Sequence, residues 1–145
     1  MKIWFDMDGT IADLYGVCDW LAYLMASDTK PYTEAKPLLN LSLLARYLNR
    51  LQKMGYEIGI ISWLSKSGTD DYNTRVTIAK QEWLMRHLPS VKWDYIKITE
   101  YGLNKWETCK EGILFDDETQ NRTNWKDKSY EPCQILEILK NMLDK

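Results

Sequence analysis

Residues 2–10 of the chain read KIWFDMDGT, a short apolar run that is stopped by two acids and a glycine. Such a continuous run is typical of a strand that is buried on both faces of a parallel sheet. Gly9 predicts a sharp turn directly after the strand. Asp6 and Asp8 then lie at its carboxyl end, where open α/β sheets bind their ligands. This one stretch therefore predicts both the start of a sheet and the position of a site.

The rest of the chain alternates between strand-like and helix-like segments. Further strands are predicted over 56–61, stopped by Ser62, over 94–99, and over 112–115, stopped by Asp116 and Asp117. Apolar residues at helical spacing predict helices over 13–26, 41–54, 76–88 and 135–143, with a polar loop over 65–73. This alternation predicts an α/β fold, a three-layer Rossmann-like parallel sheet flanked by helices.

Length and composition narrow the class of protein. The 145 residues, 45% of them apolar, suffice for one domain over 1–145. Nineteen basic residues against 21 acidic ones give a net charge of −2, which argues against a nucleic-acid-coating or membrane-seeking surface. Three scattered cysteines and one histidine form no zinc or disulfide pattern. No apolar stretch approaches the roughly 20 residues of a membrane span. We therefore expect a soluble, cytoplasmic protein without a signal peptide or a membrane partner.

The acids that follow the strands predict a metal site. Asp6, Asp8, Asp116 and Asp117 are all expected at one edge of the sheet, where carboxylates repel one another unless a cation lies among them. Oxygen ligands without cysteine or histidine favour Mg²⁺. Because Mg²⁺ usually takes one or two carboxylates together with a substrate phosphate, we expect a small phosphorylated substrate. Ser62 is placed to donate its hydroxyl to that phosphate.

These residues carry a family resemblance. The sequence DMDGT at 6–10 resembles the DxDGT signature of the haloacid-dehalogenase-like (HAD) hydrolases, most of which are Mg²⁺-dependent phosphatases. Ser62 resembles the second motif of that family, and residues 116–117 resemble its acidic fourth motif. The motifs appear in the family's order and cover nearly the whole chain.

Within the family, the chain looks most like the 5′(3′)-deoxyribonucleotidase-like branch. The segments IAD at 11–13 and KQEW at 80–83 carry this likeness, although Thr10 stands where that branch commonly has Val. The likeness implies a phosphate monoester such as a nucleotide as the substrate. A nucleic-acid 3′-end phosphatase and a sugar-phosphate phosphatase are the alternatives, and the near-neutral charge favours a small molecule.

The resemblance also implies a role for each acid. Asp6 would be the nucleophile that forms an aspartyl-phosphate, and would also bind the metal. Asp8 would protonate the leaving oxygen and later activate water, while its backbone carbonyl binds the metal. Of the second acid pair, Asp117 is favoured as the direct metal ligand, with Asp116 as a close partner.

Two lysines are candidates for the phosphate-neutralising role. Lys105 is favoured because it lies in a predicted loop at a strand end, whereas the helical neighbours of Lys80 suggest a solvated or structural lysine. The resemblance places Gly9 beneath the phosphate and Thr10 in the loop around it, so both join Ser62 in the predicted substrate-binding set. Trp63 is expected to line the mouth of the site, and the other tryptophans and tyrosines are expected mainly in the core.

Residues 13–37 offer one helix and a loop, which allow at most a minimal cap and predict an open site. Two classes outside the phosphatases fit the sequence less well. A phosphoacceptor receiver domain would need an acceptor aspartate at the end of its middle strand, and neither 60–62 nor 96–99 supplies one. A non-catalytic binding domain is disfavoured because the candidate nucleophile and its partner acids are all present.

Overall fold

The computed structural model describes residues 1–145 and contains seven strands and seven α-helices. The strands are β1 (Lys2–Phe5), β2 (Ala12–Asp13), β3 (Lys36–Pro37), β4 (Glu57–Trp63), β5 (Tyr95–Thr99), β6 (Ile113–Phe115) and β7 (Ser129–Tyr130). The helices are α1 (Trp20–Met25), α2 (Lys30–Glu34), α3 (Leu41–Lys53), α4 (Asp70–His87), α5 (Lys105–Cys109), α6 (Thr119–Asn124) and α7 (Ile135–Leu143). None of the helices combines the length and the apolar character that crossing a bilayer requires.

Five of the strands form one parallel sheet in the order β5-β4-β1-β6-β7. The central strand is β1, where Phe5 is in register with Ile60 of β4 and Phe115 of β6. The carboxyl ends of these three strands therefore meet at one edge. The sheet and its flanking helices confirm the predicted α/β fold.

Alternate residues of β1 enter two separate cores, as the pleat of a strand requires. Ile3 and Phe5 belong to the larger core, which includes side chains of α3, α4 and α7. Trp4 faces the opposite layer, where it packs with Cys109 at the end of α5 and Trp125 after α6. Helices thus cover both faces of the sheet, which explains why its central strands are continuous apolar runs.

The predicted helix over 13–26 is wrong in most of its length. Asp13 pairs with Lys36 in the two-stranded ribbon of β2 and β3, and a single 3₁₀ turn follows. Asp19 and Ser27 have positive φ angles of 61° and 56°, so the backbone leaves the helical region on both sides of α1. No residue of α1 is buried, and Leu24 is its one residue that packs against a buried cluster, which includes Tyr32 and Tyr72.

Two other boundaries differ from the prediction. The segment predicted as a loop over 65–73 ends early, because α4 begins at Asp70 with the Thr69 hydroxyl accepting a hydrogen bond from the Tyr72 N–H. Strand β4 continues through Ser62 to Trp63, since Ser62 pairs with β5. The short elements β7, α5 and α6 were not predicted, because two to six residues carry too little periodicity.

Candidate active site

Three carboxylates meet at the carboxyl edge of the sheet. Asp6 follows β1, and Asp116 and Asp117 follow the neighbouring strand β6, so the strand register brings them together. Their nearest carboxylate oxygens all lie within 4.8 Å of one another. The structure therefore assembles three of the four acids that the sequence placed at one metal site. All ligands in this acidic cluster are oxygens, which is the donor set that suits Mg²⁺.

Lys105 links two members of the acidic cluster. Its Nζ donates to Asp6 Oδ1 at 2.9 Å and to Asp116 Oδ2 at 2.6 Å, and the side chain is buried. Burial alone lowers the pKa of the Lys105 ammonium, but the charges of Asp6 and Asp116 outweigh it and raise that pKa to about 12. The Asn104 side chain caps α5 and so fixes where this lysine enters the site.

Asp116 has its remaining oxygen sites occupied by protein groups. Its Oδ1 accepts from the Glu118 backbone N–H at 2.9 Å, and its Oδ2 accepts from Asn121 Nδ2 at 3.1 Å as well as from Lys105. Asp116 is fully buried, whereas Asp117 lines the adjacent cavity. Of the two acids, Asp117 is therefore the more accessible to a bound ion, and it is also the one that the sequence analysis favours as the direct metal ligand.

Thr10 and Gly9 hold the first acidic loop against the second. Thr10 Oγ1 lies 3.0 Å from Asp6 Oδ2 and 3.3 Å from Asp117 Oδ1, and it accepts from the Asp117 N–H at 3.2 Å. Gly9 has a φ of +80°, and a Cβ there would lie 2.3 Å from Asp117 Oδ2. A glycine is required at this position both by the backbone conformation and by the close approach of the carboxylate.

The acidic cluster holds more negative charge than its one lysine neutralises. Burial and the nearby Asp6 carboxylate together raise the pKa of Asp117 to about 8. Burial and the same Asp6 charge raise the pKa of Asp116 to about 6, against the opposing effect of Lys105. Protons or a divalent cation at this site would relieve the repulsion, so the electrostatics fit a Mg²⁺ ion as the donor set does.

Asp8 lies outside the acidic cluster and pairs with Lys80. Lys80 Nζ donates to Asp8 Oδ2 at 2.9 Å, to Ser62 Oγ at 2.7 Å and to the Trp63 carbonyl at 2.6 Å. Burial raises the pKa of the Asp8 carboxyl, and the Lys80 charge opposes that rise. The two acids of the first motif thus have different lysine partners and different surroundings.

Of the two alternatives expected for Lys80, a solvated or a structural lysine, the structure excludes the solvated one. Lys80 is buried in α4, and it shares a face of that helix with Val76, Trp83 and Leu84. Val76 lies four residues before Lys80, and Trp83 and Leu84 lie three and four residues after it. This spacing could have revealed the burial, because residues three or four apart lie on one side of a helix. Lys80 and Lys105 therefore do not compete for one role, since each contacts a different acid of the first motif.

The two hydroxyl groups predicted to contact substrate are hydrogen-bonded to protein groups in this structure. Ser62 Oγ is buried behind Lys80, and Thr10 Oγ1 is buried between the two acidic loops. Neither residue lines the cavity beside the acids, so both hold other side chains in place in this structure. Gly9 likewise positions the loop, and Trp63 is the predicted substrate-binding residue that does line the cavity.

A cavity of about 550 Å³ opens onto Asp6, Asp8 and Asp117. Its aromatic and apolar lining consists of Leu14, Tyr15, Trp20, Leu21, Leu24, Met25, Tyr32, Trp63, Leu64, Tyr72 and Tyr101. Tyr15 and Tyr101 are exceptions to the expectation that the tryptophans and tyrosines lie mainly in the core, since both are exposed. Sequence patterns did not reveal these cavity residues, because an apolar stripe looks the same whether it faces a core or a ligand site.

Comparison with known proteins extends the description of the fold. No family model matches the chain, and no curated protein sequence matches it. A solved structure, that of the D,D-heptose 1,7-bisphosphate phosphatase from Burkholderia thailandensis, superimposes with a TM-score of 0.56 over 99% of each chain, at 13% sequence identity. The chain thus shares the α/β fold of that protein, and its acidic cluster lies at the sheet edge where such folds bind ligands.

Proposed function

We propose that this chain is a HAD-like, Mg²⁺-dependent phosphohydrolase that cleaves phosphate monoesters through an aspartyl-phosphate intermediate. The observation that carries the proposal is the convergence of Asp6, Asp116 and Asp117 at the carboxyl edge of the sheet, where Lys105 bonds to the first two of them. The shared fold with a protein named as a phosphatase supports it. The family likeness of residues 11–13 and 80–83 extends it to nucleotides.

A Mg²⁺ ion would be held by the carboxylates of Asp6 and Asp117 and by the backbone carbonyl of Asp8. Asp116 would stay behind them, bound to Lys105 and Asn121. When bound, the ion would neutralise part of the acidic cluster and draw charge from the phosphate oxygens.

The nucleophile of the proposed reaction is an Asp6 carboxylate oxygen. It attacks phosphorus, and the bond from phosphorus to the ester oxygen breaks as the new oxygen–phosphorus bond forms. Lys105 holds Asp6 from one side and Thr10 holds it from the other, which keeps the attacking group oriented.

Asp8 supplies the proton in the first step and removes one in the second. As a carboxylic acid it protonates the leaving oxygen, which departs as the alcohol. As a carboxylate it then takes a proton from the water that attacks the aspartyl-phosphate, which releases inorganic phosphate and regenerates Asp6. Burial raises the pKa of the Asp8 carboxyl, and this favours the protonated form that the first step needs.

The direct test is release of inorganic phosphate from a panel of monoesters, with Mg²⁺ or with excess EDTA. The panel contains nucleoside monophosphates, sugar monophosphates and an oligonucleotide with a 3′-phosphate. We expect turnover that requires Mg²⁺, and we expect Asp6→Asn to reduce it at least 10³-fold, since nucleophile loss removes the covalent route.

Asp144→Asn, an equally conservative change at an exposed acid near the C-terminus, is the matched control and should leave the rate unchanged. Acid quenching during turnover should trap an acyl phosphate on the wild-type chain but not on Asp6→Asn. If Asp6→Asn keeps its rate, or if no monoester is hydrolysed by the folded protein, the proposed function is wrong. A phosphorylated Asp6 that persists without turnover would indicate a phosphoacceptor instead.

A further inference from the structure

Two pairs of aromatic rings line the cavity beside the acids. Tyr15 and Trp20 lie edge to face with centroids 4.9 Å apart, and Trp63 and Tyr101 are tilted with centroids 5.0 Å apart. Tyr15 is 46% exposed and Tyr101 is 51% exposed, although both border the cavity. Such rings offer flat apolar area that a bound ring would remove from water.

The short helix α1 adds an apolar wall, and Leu24 is its one residue that packs against a buried cluster. Leu21 and Met25 are 53% and 80% exposed, and both line the cavity together with Leu24. A helix of six residues gains little stability by itself and normally buries its apolar face. Here that face borders the cavity, and exposed apolar surface in a concave site is typical of ligand binding.

The charges of the cavity lining favour a substrate with a single phosphate. Four acids line it, namely Asp6, Asp8, Asp117 and Glu118, against two lysines, Lys66 and Lys105. Lys105 is already bonded to two carboxylates, so Lys66, whose Nζ lies 5.9 Å from the Tyr101 ring centroid, is the one cation of the lining without a carboxylate partner. A second phosphate group, or the backbone of a nucleic acid, would therefore lie in a negative surrounding with little to neutralise it.

We infer that the leaving group of the substrate is an uncharged planar aromatic group that carries a single phosphate. This inference rests on the proposed function and specifies its substrate class. The phosphate lies at Asp6, and the aromatic group contacts the rings of Tyr15, Trp20, Trp63 and Tyr101. A nucleoside monophosphate and a simple arylalkyl phosphate share this chemistry, whereas sugar bisphosphates and nucleic-acid ends do not.

The test uses pairs of substrates with the same kind of leaving oxygen, so that chemical reactivity does not bias the comparison. Adenosine 5′-monophosphate is compared with ribose 5-phosphate, which has the same primary ester but no base. Benzyl phosphate is compared with cyclohexylmethyl phosphate, which is apolar but not planar. Base stacking of roughly 1–3 kcal/mol corresponds to an advantage in kcat/KM of about 5- to 150-fold for the aromatic member.

The two pairs separate the two sources of an aromatic group. An advantage in both pairs indicates recognition of the ring itself, and an advantage in the first pair alone indicates recognition of a nucleoside; both support the inference. Fructose 1,6-bisphosphate and a 3′-phosphorylated oligonucleotide should be poorer substrates than ribose 5-phosphate. If ribose 5-phosphate or the bisphosphate is cleaved as well as the nucleotide, the inference is overturned while the proposed function stands. If no substrate is cleaved, both fall.

Trp20 provides a variant test on a side chain that takes no part in the chemistry. Trp20→Ala should reduce the ratio of kcat/KM for the aromatic over the matched non-aromatic substrate at least fivefold, mainly through KM. Trp20→Phe keeps a ring and should hold that ratio within about twofold of the wild type. Equal losses on both members of each pair in Trp20→Ala would mean that Trp20 acts through the fold, and would contradict its role in recognition.

Discussion

The pair formed by Lys80 and Asp8 allows a stability prediction that depends on the site geometry alone. Lys80→Met keeps the length of the side chain but removes three hydrogen bonds, to Asp8, Ser62 and the Trp63 carbonyl. Removing one partner of a buried ion pair typically costs about 3–5 kcal/mol, because the other charge remains buried. Asp8 is 18% exposed, so water can reach it in part, and we expect about 3 kcal/mol.

Urea unfolding followed by tryptophan fluorescence measures this loss of unfolding free energy. For a chain of this length, about 3 kcal/mol corresponds to a fall in Tm of roughly 10 °C. Lys92→Met is the matched control, since Lys92 is exposed and its side chain has no partner, and it should change stability by less than about 0.5 kcal/mol.

A double-mutant cycle isolates the contribution of the ion pair. Asp8→Asn removes the carboxylate charge, so adding Lys80→Met to it should cost at least about 1 kcal/mol less than Lys80→Met costs in the wild type. If Lys80→Met costs less than about 1 kcal/mol and shows no coupling to Asp8, the buried pair does not form in solution. The separate surroundings that we assign to the two acids of the first motif would then be wrong.

Two further predictions concern the acidic loops and the metal. Gly9→Ala places a Cβ against Asp117 and should lower phosphatase activity about 10- to 100-fold. Gly55→Ala is the control, because Gly55 also has a positive φ but a Cβ there would have nothing within 4 Å, so this variant should lose only about 1–2 kcal/mol of stability through backbone strain. Equal activity in the two variants would contradict the packing at Gly9. Asp117, with its pKa near 8, must lose its proton before it binds Mg²⁺, so calorimetric affinity should rise up to about tenfold per pH unit between pH 6 and 8. The stability of the metal-free protein should fall over the same range, because Asp117 and Asp116, both with raised pKa values, bind protons more tightly in the folded state than in the unfolded one; an affinity independent of pH would contradict the assignment.

The parts of the fold that the sequence predicted are those with long, uninterrupted patterns. Helices α3 and α7 carry apolar residues over three turns or nearly three, and the central strands are continuous apolar runs bounded by acids or glycine. The helix predicted over 13–26 is mostly wrong because the apolar spacing there is helical, whereas the backbone leaves the helical region at Asp19. Its side chains face a cavity, and no local pattern distinguishes a cavity wall from a core.

The candidate site divides in the same way. The positions of Asp6, Asp116 and Asp117 could be predicted because the ends of neighbouring parallel strands must meet at one edge. The side-chain partners could not, since they depend on how helices approach that edge. Lys80 reaches Asp8 from α4, and the hydroxyls of Ser62 and Thr10 bond to other protein side chains. These contacts become visible only once the helices are packed against the sheet.

The two lysines give a physical reason why two aspartates, separated by one residue, can perform different chemistry. Asp6 lies among other carboxylates and is held by Lys105 and Thr10, which suits a group that must attack phosphorus from a fixed direction. Asp8 lies apart from them, and burial raises the pKa of its carboxyl while Lys80 limits that rise. A group in that position can hold a proton and still release it, which is what an acid that later acts as a base requires. Exchanging the two surroundings would therefore disable the reaction that we propose, even with both acids still in place.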